Sequence, residues 1–194
     1  MLFRSHHLSF FAGSNPNKKF QFNGQVTQRW GHFDLDFGSG SSKYPRVSPA
    51  ALALGQQAPL DPGRGKLLQI NAGITYQPTN ALRASLSINS QQLKRYDTDR
   101  YAFKINILSL RGTYQFTNAT FARVILDYNT LNSRLRSQAL FGWTPSPGTA
   151  FYAGYNDDLN YESPHPFTRQ LVPGFRRNSQ TLFIKMSYLI RRGF

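Results

Sequence analysis

The sequence predicts an all-β chain, an antiparallel transmembrane β-barrel region of about eight or nine strands. Three observations carry this. Apolar side chains recur at every second position through segment after segment, the period of a strand with one greasy face. No segment has helical periodicity, and no apolar run approaches the roughly 20 residues that a spanning helix needs. The breaks between alternating segments fall into a long set and a short set, as the outer loops and inner turns of a barrel do.

Taken in order, Leu8 to Ala12 is a short apolar piece that ends in the turn cluster Gly13-Ser14-Asn15-Pro16-Asn17. Phe20 to Phe37 follows as one extended stretch. Its apolar phase is Phe20, Phe22 and Val26, then Phe33, Leu35 and Phe37, and the change of phase predicts a bulge between Thr27 and Gly31. Residues 38–66 form a long loop in which Ala50 to Leu54 can make a helical turn. Leu68, Ile70, Ala72, Ile74 and Tyr76 then share a face opposite Gln69, Asn71, Thr75 and Gln77.

Pro78-Thr79-Asn80 reverses the chain into Leu82, Ala84, Leu86 and Ile88, which alternate with Arg83, Ser85, Ser87 and Asn89. After a polar loop, Phe103, Ile105 and Ile107 lead into Leu108, Leu110, Tyr114 and Phe116, with a second bulge near Leu108. Ala122, Val124, Leu126 and Tyr128 form the next face, opposite Arg123 and Asp127. A tight two-residue turn around Leu131 comes next. Leu135, Ala139, Phe141 and Trp143 face one way while Arg134, Arg136, Gln138 and Thr144 face the other, until Pro145 to Gly148 breaks the strand. Phe151, Ala153 and Tyr155 begin another strand, and residues 157–179 are expected as a second long outer loop.

Gln180 to Phe194 closes the series, with Leu182, Ile184, Met186, Tyr188 and Ile190 against Thr181, Lys185, Ser187 and Arg191. A lysine and an arginine on one face suit a wet lumen behind a lipid-facing wall. This ending resembles the terminal strand of bacterial outer-membrane barrels, and the resemblance implies that Tyr188, Ile190 and Phe194 are the signal read by the barrel-assembly machinery. Arg192 departs from the pattern at a lipid-phase position, where its long side chain can snorkel to the headgroups.

The 194 residues are read as a single β-barrel region, with long outer loops at about 38–66 and 157–179. Either the first piece does not span and eight strands close on themselves, or the chain is the C-terminal portion of a larger barrel; the second is preferred. Met1 to Phe11 lacks the basic start, apolar stretch and cleavage site of a secretory signal. An exported barrel needs one, so a missing upstream part is expected.

Lys and Arg number 23 against 9 Asp and Glu, a formal net charge of +14, which by itself suggests nucleic acid or an anionic surface. The cations are scattered singly, with doublets at Lys18-Lys19, Arg176-Arg177 and Arg191-Arg192, and no basic helix, zinc knuckle or aromatic RNA-binding box accompanies them. A soluble basic β-domain that binds nucleic acid is therefore the competing class, and no nucleic-acid partner is expected. Cysteine is absent, which excludes disulfides and thiolate metal sites.

Thr113-Tyr114-Gln115-Phe116-Thr117, Phe121-Ala122-Arg123, Gln138 to Pro145, Pro147 to Phe151, Gly154 to Asp157 and Thr181 to Lys185 resemble the C-terminal outer-membrane β-barrel of a bacterial domain family of unknown function. In that family the barrel follows a periplasmic domain similar to carbohydrate-binding module family 9. The resemblance implies a bacterial outer-membrane location, lipid as partner, and a carbohydrate link only through a domain upstream of Met1. The last strands of TonB-dependent receptors are a second resemblance. The implied role is a transport-like or structural barrel.

No catalytic, cofactor or metal residues are assigned, and an enzyme is not expected. His6 and His7 adjoin on opposite faces of an extended chain. His32, Asp34 and Asp36 share a face, which a polar lumen lining explains without an ion. Asp157, Asp158 and His165 are similar in kind to the sites of barrel proteases, but ordinary loop chemistry accounts for them. Arg83, Arg111 and Arg123 come from three consecutive strands and are expected to form either a basic belt near the periplasmic mouth or, equally, a solvated wall paired with acids on strands outside this chain. Asp127 is expected directly across from Arg134 or Arg136 in a cross-strand ion pair. Tyr76, Tyr114, Phe116, Trp143 and Phe151 at one end, with Tyr101, Tyr128 and Tyr155 at the other, suit two interfacial girdles.

Overall fold

The computed structural model describes residues 5–39, 44–164 and 171–189, and within them each alternating segment lies in a strand. The order is β1 (His6–Asn17), β2 (Phe20–Asp34), α1 (Pro49–Leu54), β3 (Gly63–Tyr76), β4 (Leu82–Arg95), β5 (Tyr101–Thr117), β6 (Thr120–Asn129), β7 (Arg134–Ser146), β8 (Thr149–Pro164) and β9 (Leu171–Tyr188). Among the described residues these nine strands make one antiparallel sheet, each paired with its neighbours in sequence and β1 and β9 standing at the ends of the order.

Several boundaries differ from the sequence expectation, each for a local reason. The first strand runs through Gly13 to Asn17, and the chain reverses at Lys18-Lys19 instead. Asn17 makes that turn, its Oδ1 accepting from the backbone N–H of Lys19 at 2.9 Å and of Phe20 at 2.8 Å. The expected bulge in β2 is present. Trp30 still shows the phase of Phe20, Phe22 and Val26, Phe33 and Leu35 are exposed in the other phase, and Gly31 between them takes φ 70°. A glycine supplies that left-handed geometry without a Cβ clash.

Residues 157–179 were expected as a loop and are largely strand, because β8 continues to Pro164 and β9 starts at Leu171. Ladder pairing and the Asp157–Arg177 ion pair hold this hairpin where side-chain alternation fails, and two register shifts, at Asp158/Leu159 and at Asn160/Glu162, erase the period that a sequence reading depends on. The turn around Leu131 is also longer than the two residues expected. Asn129 pairs with Arg134, which leaves Thr130 to Ser133 in the connection, with Ser133 at φ 49°.

The chain divides into two compact units. The first comprises residues 1–14, 23–73 and 88–107. Its core is Val47, Leu67, Leu93 and Ala102, flanked by Phe37 and Phe103, whose rings lie 4.7 Å apart. Ser48 caps α1 by accepting from Ala51 N–H at 3.3 Å, and Pro49 supplies a first-turn φ that costs no hydrogen bond.

The second unit comprises residues 15–22, 74–87 and 108–194, and its β6 to β9 show what the pairing does to the two faces. Val124, Ala139, Tyr155 and Leu182 fall in one cross-strand row; Ala122, Phe141, Ala153 and Ile184 in the next; and Thr120, Trp143, Phe151 and Met186 in a third. The alternate rows hold Asp127, Arg136, Asp158 and Ser179, then Ile125, Gln138, Asn156 and Thr181. One face is apolar and the other polar. On the polar face Gly142 leaves room for the ring of Phe121, and Gly154 for that of Phe183; a Cβ at either position would clash with the respective ring.

Candidate functional site

In the first unit, the ends of β2 and β4 and the segment between β2 and β3 bring charged groups out of water together. Arg95, the last residue of β4, donates to Asp34 Oδ2 at 2.9 Å, to both Asp97 oxygens at 3.0 and 2.6 Å, and to the Asp61 carbonyl at 3.1 Å. Arg46 donates to Asp36 through Nε at 2.9 Å and through a second ion-pairing nitrogen. Its remaining N–H groups reach the carbonyls of Gln56, Ala58 and Pro59 at 2.9, 2.5 and 2.7 Å. The Asp36 oxygen that faces Arg46 also accepts from Ser48 Oγ and from the Asp61 N–H.

Burial pushes the Asp36 carboxyl up, but hydrogen bonds from Arg46, the Asp61 backbone and Ser48 outweigh it and hold the group below its ordinary value. Arg95 does the same for Asp97. These are guanidinium forks closed on carboxylates and carbonyls, the strongest hydrogen-bonding geometry an arginine has. They pin a long connection to strand ends. The sequence reading put Asp34 and Asp36 in phase with His32, and each carboxylate is instead held by its own arginine. Arg46, Arg95, Asp97 and Asp61 were not singled out, and the only sign of them was charge within otherwise polar, aperiodic stretches.

The anticipated residues of the second unit divide. Tyr188 closes β9 with its ring exposed; Ile190 and Phe194, like His165, lie outside the described residues. Arg83, Arg111 and Arg123 are all exposed. Arg111 and Arg123 adjoin the exposed Leu110 and Val124, so each turns to the face opposite its apolar neighbour. The Arg123 guanidinium lies 5.7 Å from the ring of Phe121.

Asp127 stands directly across from Arg136, on the face expected. The ion pair is corrected, however. Among the described residues no ion pair joins Asp127 to Arg134 or Arg136, because Arg134 takes Asp158 on its other side, from β8, in a two-pronged contact. Asp157 in turn binds Arg177 of β9 at 3.0 and 3.1 Å. Both acids considered for catalysis are therefore occupied by arginines.

The aromatics expected at one end pair off near the short turns. Phe20 stacks on Tyr76 at 4.4 Å, Tyr114 meets Phe116 edge-on at 4.9 Å, and Trp143 stacks on Phe151 at 5.4 Å, all close to the short turns. Of the other set, Tyr101 opens β5 and Tyr128 nearly ends β6. Tyr155 lies mid-strand because β8 runs on.

No family model and no curated protein matches the chain. Among solved structures, in-vitro folded OmpT, an outer membrane protein of Vibrio cholerae, aligns in its trimer form over 95% of this chain and 56% of its own, with 13% identity and a TM-score of 0.47. A second structure of in-vitro folded OmpT aligns over 95% and 55%, with 10% identity and a TM-score of 0.47. This chain thus spans little more than half the length of those proteins.

Proposed function

We propose that this chain is the membrane portion of a bacterial outer-membrane β-barrel protein, transport-like or structural, with no catalytic role of its own. The observation that carries the reading is the inverted burial of the second unit. Among the described residues the buried apolar side chains are Val47, Ala51, Leu67, Leu93 and Ala102, every one in the first unit. The apolar rows of β6 to β9 lie open, with Ile184 80% and Leu182 73% exposed.

Soluble proteins rarely leave contiguous apolar patches above a few hundred Å² uncovered. Lipid removes that cost, and alternation of lipid-facing apolar with polar residues is the pattern of membrane strands. The aromatic pairs beside the short turns suit the headgroup level. In this reading lipid and the barrel-assembly machinery are the partners, Tyr188, Ile190 and Phe194 the assembly signal, and carbohydrate is met only by a domain upstream.

Expression of the full-length protein with an export signal in a Gram-negative host, followed by fractionation, tests this. A heat-modifiable band in the outer membrane is expected. Ile184→Arg should cost about 2 to 4 kcal/mol if it lies near the bilayer midplane, while Thr181→Arg on the polar face should cost little. Recovery of the wild type as folded protein in the soluble fraction would overturn the proposal.

A further inference from the structure

Beside the β1–β2 turn, the second unit holds a basin of about 350 Å³ walled by the ends of β1 to β4, within the size range of small-molecule sites. Three cations line it, Lys18, Lys19 and Arg83, and no carboxylate does. Among the described residues none of the three forms an ion pair, whereas the buried Arg46 and Arg95 and the half-buried Arg134 are each matched by an acid. Three like charges around one hollow repel each other, and an anion placed among them converts that repulsion into attraction.

The walls are fixed. Gln77 N–H donates to the Lys19 carbonyl at 2.7 Å, which puts Lys19 across from Gln77 and Gln21 across from Thr75. Asn17 commits its Oδ1 to the turn, so the polar group it has left is its NH₂. The neutral lining is thus rich in donors, from Asn17, Gln21, Thr75 and Gln77. Gln21, Thr75 and Gln77 belong to the polar face, out of phase with the exposed Phe20, Ile74 and Tyr76, which favours a ligand that arrives through water.

We infer that this basin is a binding site for a tetrahedral oxyanion of the phosphate or sulfate class. Arg83 offers a planar fork that matches two oxygens at once, Lys18 and Lys19 supply point charge, and the amides and hydroxyl take the remaining oxygens or the hydroxyls of an attached sugar. The inference stands on this basin alone and does not depend on the membrane reading.

Calorimetric titration of the purified full-length chain with sodium phosphate, at ionic strength held constant with chloride, tests it. Saturable binding is expected, and Lys19→Gln and Arg83→Gln should each weaken it by about tenfold, the usual effect of losing a charged hydrogen bond. Arg29→Gln, which removes an exposed arginine that does not line the basin, should leave it within about twofold. β-Sheet circular dichroism of each variant shows whether the fold is kept. A second arm uses short-chain phosphatidylglycerol monomers. Binding of phosphate itself assigns the site to a free oxyanion, and binding of the lipid alone, lost in Arg83→Gln, assigns it to a headgroup phosphate. Binding of neither, unsaturable binding, or equal losses in Arg83→Gln and Arg29→Gln would overturn the inference.

Discussion

A guanidinium taken out of water has to be matched group by group, and Arg95, 1% exposed, is matched by Asp34, Asp97 and the Asp61 carbonyl. Arg95→Met would leave two carboxylates without their counter-ion. Breaking a buried pair from one side typically costs about 3 to 5 kcal/mol, so the urea midpoint of the first unit should fall accordingly. The same cluster sets a pH dependence. Asp36 and Asp97 are held below the usual carboxylate range, so their contribution is fully present above the unfolded value of about 3.9. It is lost as pH falls through the lowered folded values. Proteolysis of the stretch 44–62, by an acid-active protease at low pH and a neutral protease at pH 7, should accelerate below about pH 4, and Asp36→Asn should bring part of that acceleration to neutral pH. Unchanged cleavage across this range would show that the carboxylates do not hold the segment.

At the scale of the strand, the sequence speaks through short range. Successive side chains of a strand point to opposite faces whatever lies beyond, so the face of Leu182, Ile184 and Met186 and the bulge near Gly31 were readable directly. Contacts between strands were readable only across a tight hairpin, and there by parity. The rule that same-face partners of β6 and β7 sum to an odd number placed Asp127 on the face of Arg136, and it holds for a four-residue connection as for a two-residue one. Which acid an arginine prefers is a different matter. Arg134 has Asp158 on β8 within reach, and that competitor is invisible from β6 and β7 alone. Asp158→Asn should therefore lower the thermal midpoint more than Asp127→Asn does. Equal shifts would mean that the pairing with Arg134 contributes nothing.

At the scale of the molecule, legibility fell with sequence separation. Arg95 and Asp34 are 61 positions apart, and no periodicity links them, so the knot that organises the connection between β2 and β3 could not be foreseen. The polar face was foreseeable, and with it Arg83, Arg111 and Arg123. If these line a conducting lumen, their field favours anions. Single-channel recording of the full-length protein should then show the reversal potential moving toward cation preference when all three become Glu. An unchanged potential would remove the belt from any account of selectivity.

The strand count carries a consequence of its own. Neighbours in this sheet alternate in direction, so with nine of them β1 and β9 run the same way. Each presents an outer row of N–H and C=O groups, and within lipid such a row must find protein partners, since no water is there to supply them. If β1 met β9 directly, the seam would be a parallel ladder, with slanted and evenly spaced bonds, in a sheet otherwise antiparallel. An antiparallel closure instead takes an odd number of further strands, so that one points against both edges at each contact. Odd or even is thus a physical property of this sheet, and it fixes what can lie against its edges.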